Sequence, residues 1–357
     1  MKNKIKYIAL ALALAGVVSS FAACGDKSDK DKDKDFSYET GSENEKELTV
    51  GGTFSESGFK FTLLSEKEVA VSGYSGKSPA AVIPSKVRDY AVVEIAASAF
   101  YENTSVSSVE IPESITKIGD DAFRRSGLAA VTGAANVLDV GSYAFGETPL
   151  TTNAKEEFTV IGGGILVAYK GDAVSVTVPA GIKVIAGAFA SNQTLASVTL
   201  PDGLVTIGDN AFSQCKALSQ VNIPQTVTRI GDRSFAMCTA LPAIVVPDSV
   251  TYIGENAYLC CISAKTATLS KNLKTIGASA FQKCESLTNI SIPDTVESIG
   301  ECAFMNCKLL TSIYIPYKVT EIGELAFAKC NPALTVQCTE GSAADVYCKT
   351  NSIAVKY

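Results

Sequence analysis

The 357-residue chain contains no histidine and no tryptophan. Without histidine there is no Ser-His-Asp triad, no Cys-His dyad, no His-x-Glu deaminase site and no HExxH zinc site. Carboxylates, lysine and cysteine remain as catalytic groups, but no paired carboxylates stand in a distinctive frame. The one glycine cluster, Gly162 to Gly164, runs into ILVAY and lacks the glycine-lysine context of a phosphate loop. It reads as a turn. Positive charge is also in deficit, with a formal net charge of −6, which speaks against binding to a phosphate backbone. The sequence therefore points to no enzyme, no catalytic residue, no metal site, no cofactor and no nucleic-acid partner. Long apolar runs are missing except at the start, where IALALALAGVV is too short for a comfortable bilayer span.

That run follows Lys2, Lys4 and Lys6 and ends in the small residues of SSFAACG. A basic start, a short apolar middle and a small-residue end make residues 1–23 a signal peptide. FAAC resembles the lipobox of bacterial lipoproteins, which implies cleavage before Cys24 and a diacylglycerol on its sulfur. The expected location is thus extracytoplasmic, with lipidated Cys24 holding the protein to the bacterial membrane or surface. Residues 24–50 alternate Asp and Lys and lack an apolar face, so they read as a disordered charged tether. Asp29, Asp31, Asp33 and Asp35 do not make a calcium loop. Frames starting at Asp29 or Asp31 put Lys34 or Phe36 where glycine is needed, and Thr40 or Ser42 where glutamate is needed.

From residue 51 onward the chain repeats itself. Phe189, Phe212, Phe235, Tyr258, Phe281, Phe304 and Phe327 follow one another in steps of 23 residues. Phe100, Phe123 and Phe145 start the series, and a longer unit, EEFTVIGGGILVAYKGDAVSV, intervenes before Phe189. One unit, LSQVNIPQTVTRIGDRSFAMC, can be read physically. Leu218, Val221 and Ile223 mark a short strand with one face inward, and Pro224 ends it. Val227 and Ile230 mark a second short strand. Gly231 recurs in later units at one register, implying a positive φ or a close backbone approach. DRSFAMC reads as a helical turn that drives Phe235 inward. One such coil buries too little to fold alone, so stacking must hold it. The expected fold is an α/β repeat solenoid of 23-residue coils, short parallel strands plus short helical turns, with caps at both ends over residues 51–357.

This register accounts for the cysteines. Cys215, Cys238, Cys261, Cys284, Cys307 and Cys330 each lie three residues after the aromatic of their own coil. Asn103, Ser126, Thr148 and Asn192 hold that place in earlier coils. A place that takes small, weakly polar side chains one per coil is structural, and these thiols are expected to be buried and reduced. Coils stack about 4.8 Å apart, and a disulfide prefers Cβ atoms about 3.5–4.5 Å apart. Cys302 sits at a variable outward register. Whether Cys338 and Cys348 pair is left open.

The pattern Leu-x-x-Val-x-Ile-Pro…Ile-Gly-x-x-Ala-Phe-x-x-Cys, as it stands in Leu287 to Cys307, resembles bacterial leucine-rich repeats of the BspA-like type. GFKFTLLSEKEVAVSGYSGKSPAAVIPSKV is similar to the opening cap of such proteins. TVQCTEGSAADVYCKTNSIAVKY is similar to their closing cap, with a short helix near Ser342 to Lys349. The resemblance implies a leucine-rich-repeat solenoid at a bacterial surface that mediates binding or adhesion. Its expected ligand is a protein or a glycan, and the alternative is a structural or spacer protein of the cell envelope. Exposed positions on the first strand give the candidate binding row: Thr199, Asn222, Val245, Thr268, Ser291 and Tyr314. These would stack about 4.8 Å apart.

Overall fold

Each repeat lays down two very short strands, and each strand pairs only with the same strand of a neighbouring coil. The structure, a computed structural model, describes residues 48–357. In the unit around Phe235 the strands are Gln220–Asn222 and Arg229–Ile230. Val227 lies outside the second strand but is buried as expected. Second strands pair in parallel from Thr206 through Arg229, Tyr252, Thr275 and Ser298 to Glu321, always one coil apart. They belong to a nine-stranded sheet that begins at the hairpin Phe158–Ile161 and Ile165–Tyr169. First strands form three-stranded sheets, among them Ser175–Thr177, Ser197–Thr199 and Gln220–Asn222. The solenoid and its parallel in-register strands match the sequence reading.

The segment after the recurrent glycine is not a helical turn. From Arg233 to Cys238 the chain makes successive tight turns, with Arg233 and Met237 at φ 52° and 61°. The N–H groups of Arg233, Phe235 and Met237 donate to Glu255, Ala257 and Leu259 of the next coil at 2.9, 2.8 and 2.7 Å. Those of Ala236 and Cys238 donate three residues back, at 3.1 and 3.2 Å. A helix would direct its N–H groups along its own axis and leave the neighbouring coil without partners. Left-handed backbone at two positions turns alternate N–H groups along the solenoid instead. Its cost, about 1 kcal/mol or more per residue, is offset by a lateral hydrogen bond. Among the described residues the helices are Pro149–Thr152 and Ala343–Thr350.

The recurrent glycine answers to close approach. A Cβ on Gly277 would lie 2.6 Å from the backbone C and O of Gly254, and one on Gly300 would lie 2.5 Å from Ala278 N. Neither residue has a positive φ. The turn glycines Gly162 and Gly164, at φ 52° and 108°, do use that freedom, in the hairpin ahead of ILVAY.

Inward aromatics stack into a column. From Phe189 to Phe327 neighbouring rings lie 5.0–5.6 Å apart and within 10° of parallel. Tyr347 of the closing helix ends the column edge-on, 6.0 Å from Phe327 at 70°. That helix starts on Ser342, which accepts from the Asp345 N–H, as the sequence of the closing cap implied. At the other end, antiparallel strands Thr53–Glu56, Phe59–Leu63 and Glu68–Tyr74 cover the first coil.

The longer unit between Phe145 and Phe189 divides the solenoid into two blocks with separate cores. The sheet of the first block ends at Asp139–Val140 and does not pair with the nine-stranded sheet. Ile165 and Val184 stand at the register that faces outward in later coils (Arg229, Tyr252, Thr275), yet both are fully buried. They join the first block's core, which also contains Val137 and Val140. The end of the first block thus rests against the outer face of the nine-stranded sheet where that sheet begins, not against the first strands. Around this apolar contact, Asn210 Nδ2 donates to Ser142 Oγ at 3.0 Å. Arg229 lies 3.5 Å from Asp139 Oδ1 and 3.7 Å from Asp209 Oδ1.

Candidate binding face

The outward residues of the first strands form two columns. One contains the sequence-predicted row. Thr199 pairs with Thr177 on one side and Asn222 on the other, Val245 pairs with Thr268, and Tyr314 pairs with Gln337. A single bridge joins Ser291 to Tyr314. The structure therefore brings Thr199, Asn222, Thr268, Ser291 and Tyr314 onto one face, in three sheet segments rather than one ladder. All five are exposed.

The sequence reading missed the second column, two residues earlier in each strand, which includes Ser197, Gln220, Thr266, Asn289 and Ser312. Strand alternation carries that signal, because positions two apart share a face. It also missed the ends of the row, Thr177 and Gln337. From Ser175 to Gln337, eight successive first strands place no charged side chain outward. The candidate side chains Thr199, Asn222, Thr268, Ser291 and Tyr314 make no side-chain hydrogen bond to other described residues; in the second column, Ser197 Oγ donates to Gln220 Oε1 at 3.3 Å. A shallow depression of about 470 Å³ lies over Thr266, Thr268, Asn289 and Ser291, with Lys271 and Pro293 at its margin. Asp248 holds the Lys271 ammonium at 3.2 Å. Val245 is 63% exposed, and Tyr314 and Tyr317 are 41% and 69% exposed.

The other sheet carries a depression of about 600 Å³ over Thr275, Ser298, Gly277 and Gly300, rimmed by Glu255 and Glu321. Asp209 marks the beginning of this face. It is 7% exposed, and burial pushes its carboxyl up to about 7, against the hydrogen bond it accepts from the Asp232 N–H at 2.7 Å.

The ladder cysteines stand as free thiols in register. Each donates to the carbonyl of the preceding coil's aromatic: Cys215 to Phe189 at 3.0 Å, Cys238 to Phe212 at 3.2 Å, Cys284 to Tyr258 at 3.3 Å. Burial pushes the Cys215 and Cys284 thiols up to about 12, so they are poor nucleophiles. Cys330, at the edge of the closing cap, is half-buried rather than fully buried. Cys338 and Cys348 are both buried free thiols. Cys302 is half-buried at φ 55°, the left-handed turn position. Among the described residues no group of three or more acidic or cysteine side chains is placed to hold a metal ion. No helix among them is long and apolar enough to cross a membrane. Cys24 and the signal and tether segments up to residue 47 lie outside the described residues.

Coil length, aromatic column and strand pairing together define a leucine-rich-repeat solenoid. The chain belongs to the BspA-type leucine-rich-repeat family: the model of the BspA type leucine rich repeat region, in six copies, matches residues 93–217, 167–288 and 274–342. A comparison with curated proteins finds no match. Among solved structures, the chain is similar to a leucine-rich cell surface protein from Faecalibacterium prausnitzii. Identity there is 23% over 85% of this chain and 98% of that one, with a TM-score of 0.31. A leucine-rich repeat protein from Eubacterium ventriosum is 21% identical over 77% and 93%, with a TM-score of 0.40. The pneumococcal vaccine antigen PcpA is 18% identical over 86% and 99%, with a TM-score of 0.32. Solenoids of this family are typically cell-surface, non-catalytic binding scaffolds.

Proposed function

We propose that this protein is an adhesion or ligand-binding solenoid without enzymatic activity, held outside the bacterial membrane by acyl chains on Cys24. Its first-strand face meets a protein or glycan. The observation that carries this reading is the long uncharged face itself. Seven of the eight strands offer hydroxyl or amide groups, the exception being Ala243–Val245, and those of the five candidate residues make no internal side-chain hydrogen bond. The chain as a whole is 19% charged. A surface needed only for solubility would carry that share of charge here too. FAAC, which resembles a lipobox and follows a basic start and a short apolar run, supports the anchor.

The test is an array of immobilised glycans and extracellular-matrix proteins probed with the full-length protein and with a Thr268→Lys/Ser291→Lys variant. A ligand bound by the wild type and weakened at least tenfold in the variant is the expected result. Absence of any ligand, or binding indifferent to both lysines, would leave a spacer role instead. Cells carrying Cys24→Ser should release the protein from the membrane fraction; equal partitioning would remove the anchor.

A further inference from the structure

We infer that the occupant of the first-strand face is a neutral, linear polysaccharide lying along the solenoid axis, an inference that rests on the binding reading above. Three features lead to it. The first is charge. Across eight coils nothing on the face attracts an anion or a cation, and the marginal Lys271 is already paired with Asp248. A charged glycan or a charged protein surface would gain no complementary partner.

The second is chemistry. Serine and threonine hydroxyls and the amides of Gln220, Asn222 and Asn289 both donate and accept hydrogen bonds, as sugar hydroxyls do. Protein interfaces instead concentrate their energy in tryptophan, tyrosine and arginine. This face has no arginine and a single tyrosine on its strands, Tyr314, with Tyr317 beside it. Exposed Val245 and the two tyrosines give apolar surface for the C–H faces of sugar rings.

The third is repetition. Each coil presents the same two outward positions about 4.8 Å further along. A folded protein does not repeat its surface at that step. A polysaccharide does, because each linked pyranose advances its chain by close to one strand spacing. The depression over Thr266, Thr268, Asn289 and Ser291 provides relief for such a chain in the middle of the face. The larger depression on the other sheet is rimmed by Glu255 and Glu321 and offers neither neutrality nor two hydroxyl columns.

The experiment is affinity electrophoresis of the full-length protein through gels containing mixed-linkage β-glucan, glucomannan or hydroxyethylcellulose. Polygalacturonate and gelatin serve as the charged-glycan and protein comparisons. Retardation by at least one neutral polymer, unchanged by salt, is the expected result. Calorimetry with oligosaccharides of that polymer should show affinity rising with length up to about seven sugars, the span of seven steps of ~4.8 Å. Thr268→Lys/Ser291→Lys should weaken binding at least tenfold, and Thr268→Val/Ser291→Ala, which leaves the strands intact, about threefold. If no neutral polymer retards the protein, the inference is wrong. If gelatin binds and the lysine pair abolishes it, the face is a protein site: the binding reading survives and the polysaccharide does not. If the variants alter no interaction at all, both readings fall. Affinity that is independent of sugar number overturns the axial arrangement.

Discussion

The two solenoid blocks build the same coil from different side chains. In the second block the place three residues after the aromatic is Asn192 in the first coil and cysteine in every coil from Cys215 to Cys330, and the thiol donates to the previous aromatic's carbonyl, as Cys215 does to Phe189. In the first block Asn103 donates to the carbonyl of Tyr74 at 3.1 Å, and Tyr74 stacks on Phe100 as Phe189 stacks on Phe212. An amide and a thiol thus do one job. The position selects a small donor beside a buried carbonyl, and thiol reactivity is incidental. The blocks also differ in face. The first block places Glu110 outward on its first strands, whereas the second keeps charge off eight in succession.

The largest way to break the comparison is to remove a ring from either column. Phe235→Ala leaves a cavity between Phe212 and Tyr258, and Phe123→Ala leaves one between Phe100 and Phe145. Each should cost about 3–5 kcal/mol. Because Ile165 and Val184 of the second block's sheet belong to the first block's core, both variants should lower one shared transition in calorimetry. Two separated transitions would show that the blocks fold independently.

A smaller effect belongs to the contact between them. Burial raises the Asp209 carboxyl from 3.8 to about 7, with Arg229 opposing the shift and Asp232 and Asp120 adding to it. A raised carboxyl favours the folded state fully below its unfolded value, and that advantage is lost as pH rises through about 7. The wild type should therefore lose stability between pH 4 and pH 8. Asp209→Asn keeps an acceptor for the Asp232 N–H and removes the ionisation. It should be more stable than wild type at pH 8 and equal to it near pH 4. Thermal melts across that range would show a flat difference if the contact does not bury the carboxylate.

The smallest effect tests the equivalence of thiol and hydroxyl. Cys284→Ser retains a donor to the Tyr258 carbonyl and should shift stability by no more than about 1 kcal/mol. In thiol labelling read by mass spectrometry, half-buried Cys260 and Cys302 should react first, and Cys215, Cys238, Cys261, Cys284 and Cys307 only on unfolding. Rapid labelling of the ladder would contradict the buried column.

Much of this was legible from spacing alone. A 23-residue step, aromatics at one phase and prolines after the first strand prescribe stacked coils. Thr199 to Tyr314 fall on one face because strand alternation is local. The turns were less legible. Left-handed positions are usually betrayed by glycine, but here Arg233, Met237, Asn256 and Cys302 occupy them, held by hydrogen bonds to another coil that no local pattern displays. The glycine at Gly277 was legible as special, but close approach could be told from positive φ only with the neighbouring coil in place. Least legible was the contact between blocks. Nothing near Ile165 and Val184 in sequence announces that they will join the core of the preceding block.

The way each coil passes its hydrogen bonds to the next has a consequence for how the gene can change. Arg233, Phe235 and Met237 donate to the following coil through backbone groups alone, so any unit that keeps the phase accepts them. A tandem duplication or deletion of one unit would lengthen or shorten the second block by one step while both caps and the interblock contact stay as they are. Recombination within the repeats is then a source of length variants of the exposed face that need no compensating substitutions elsewhere.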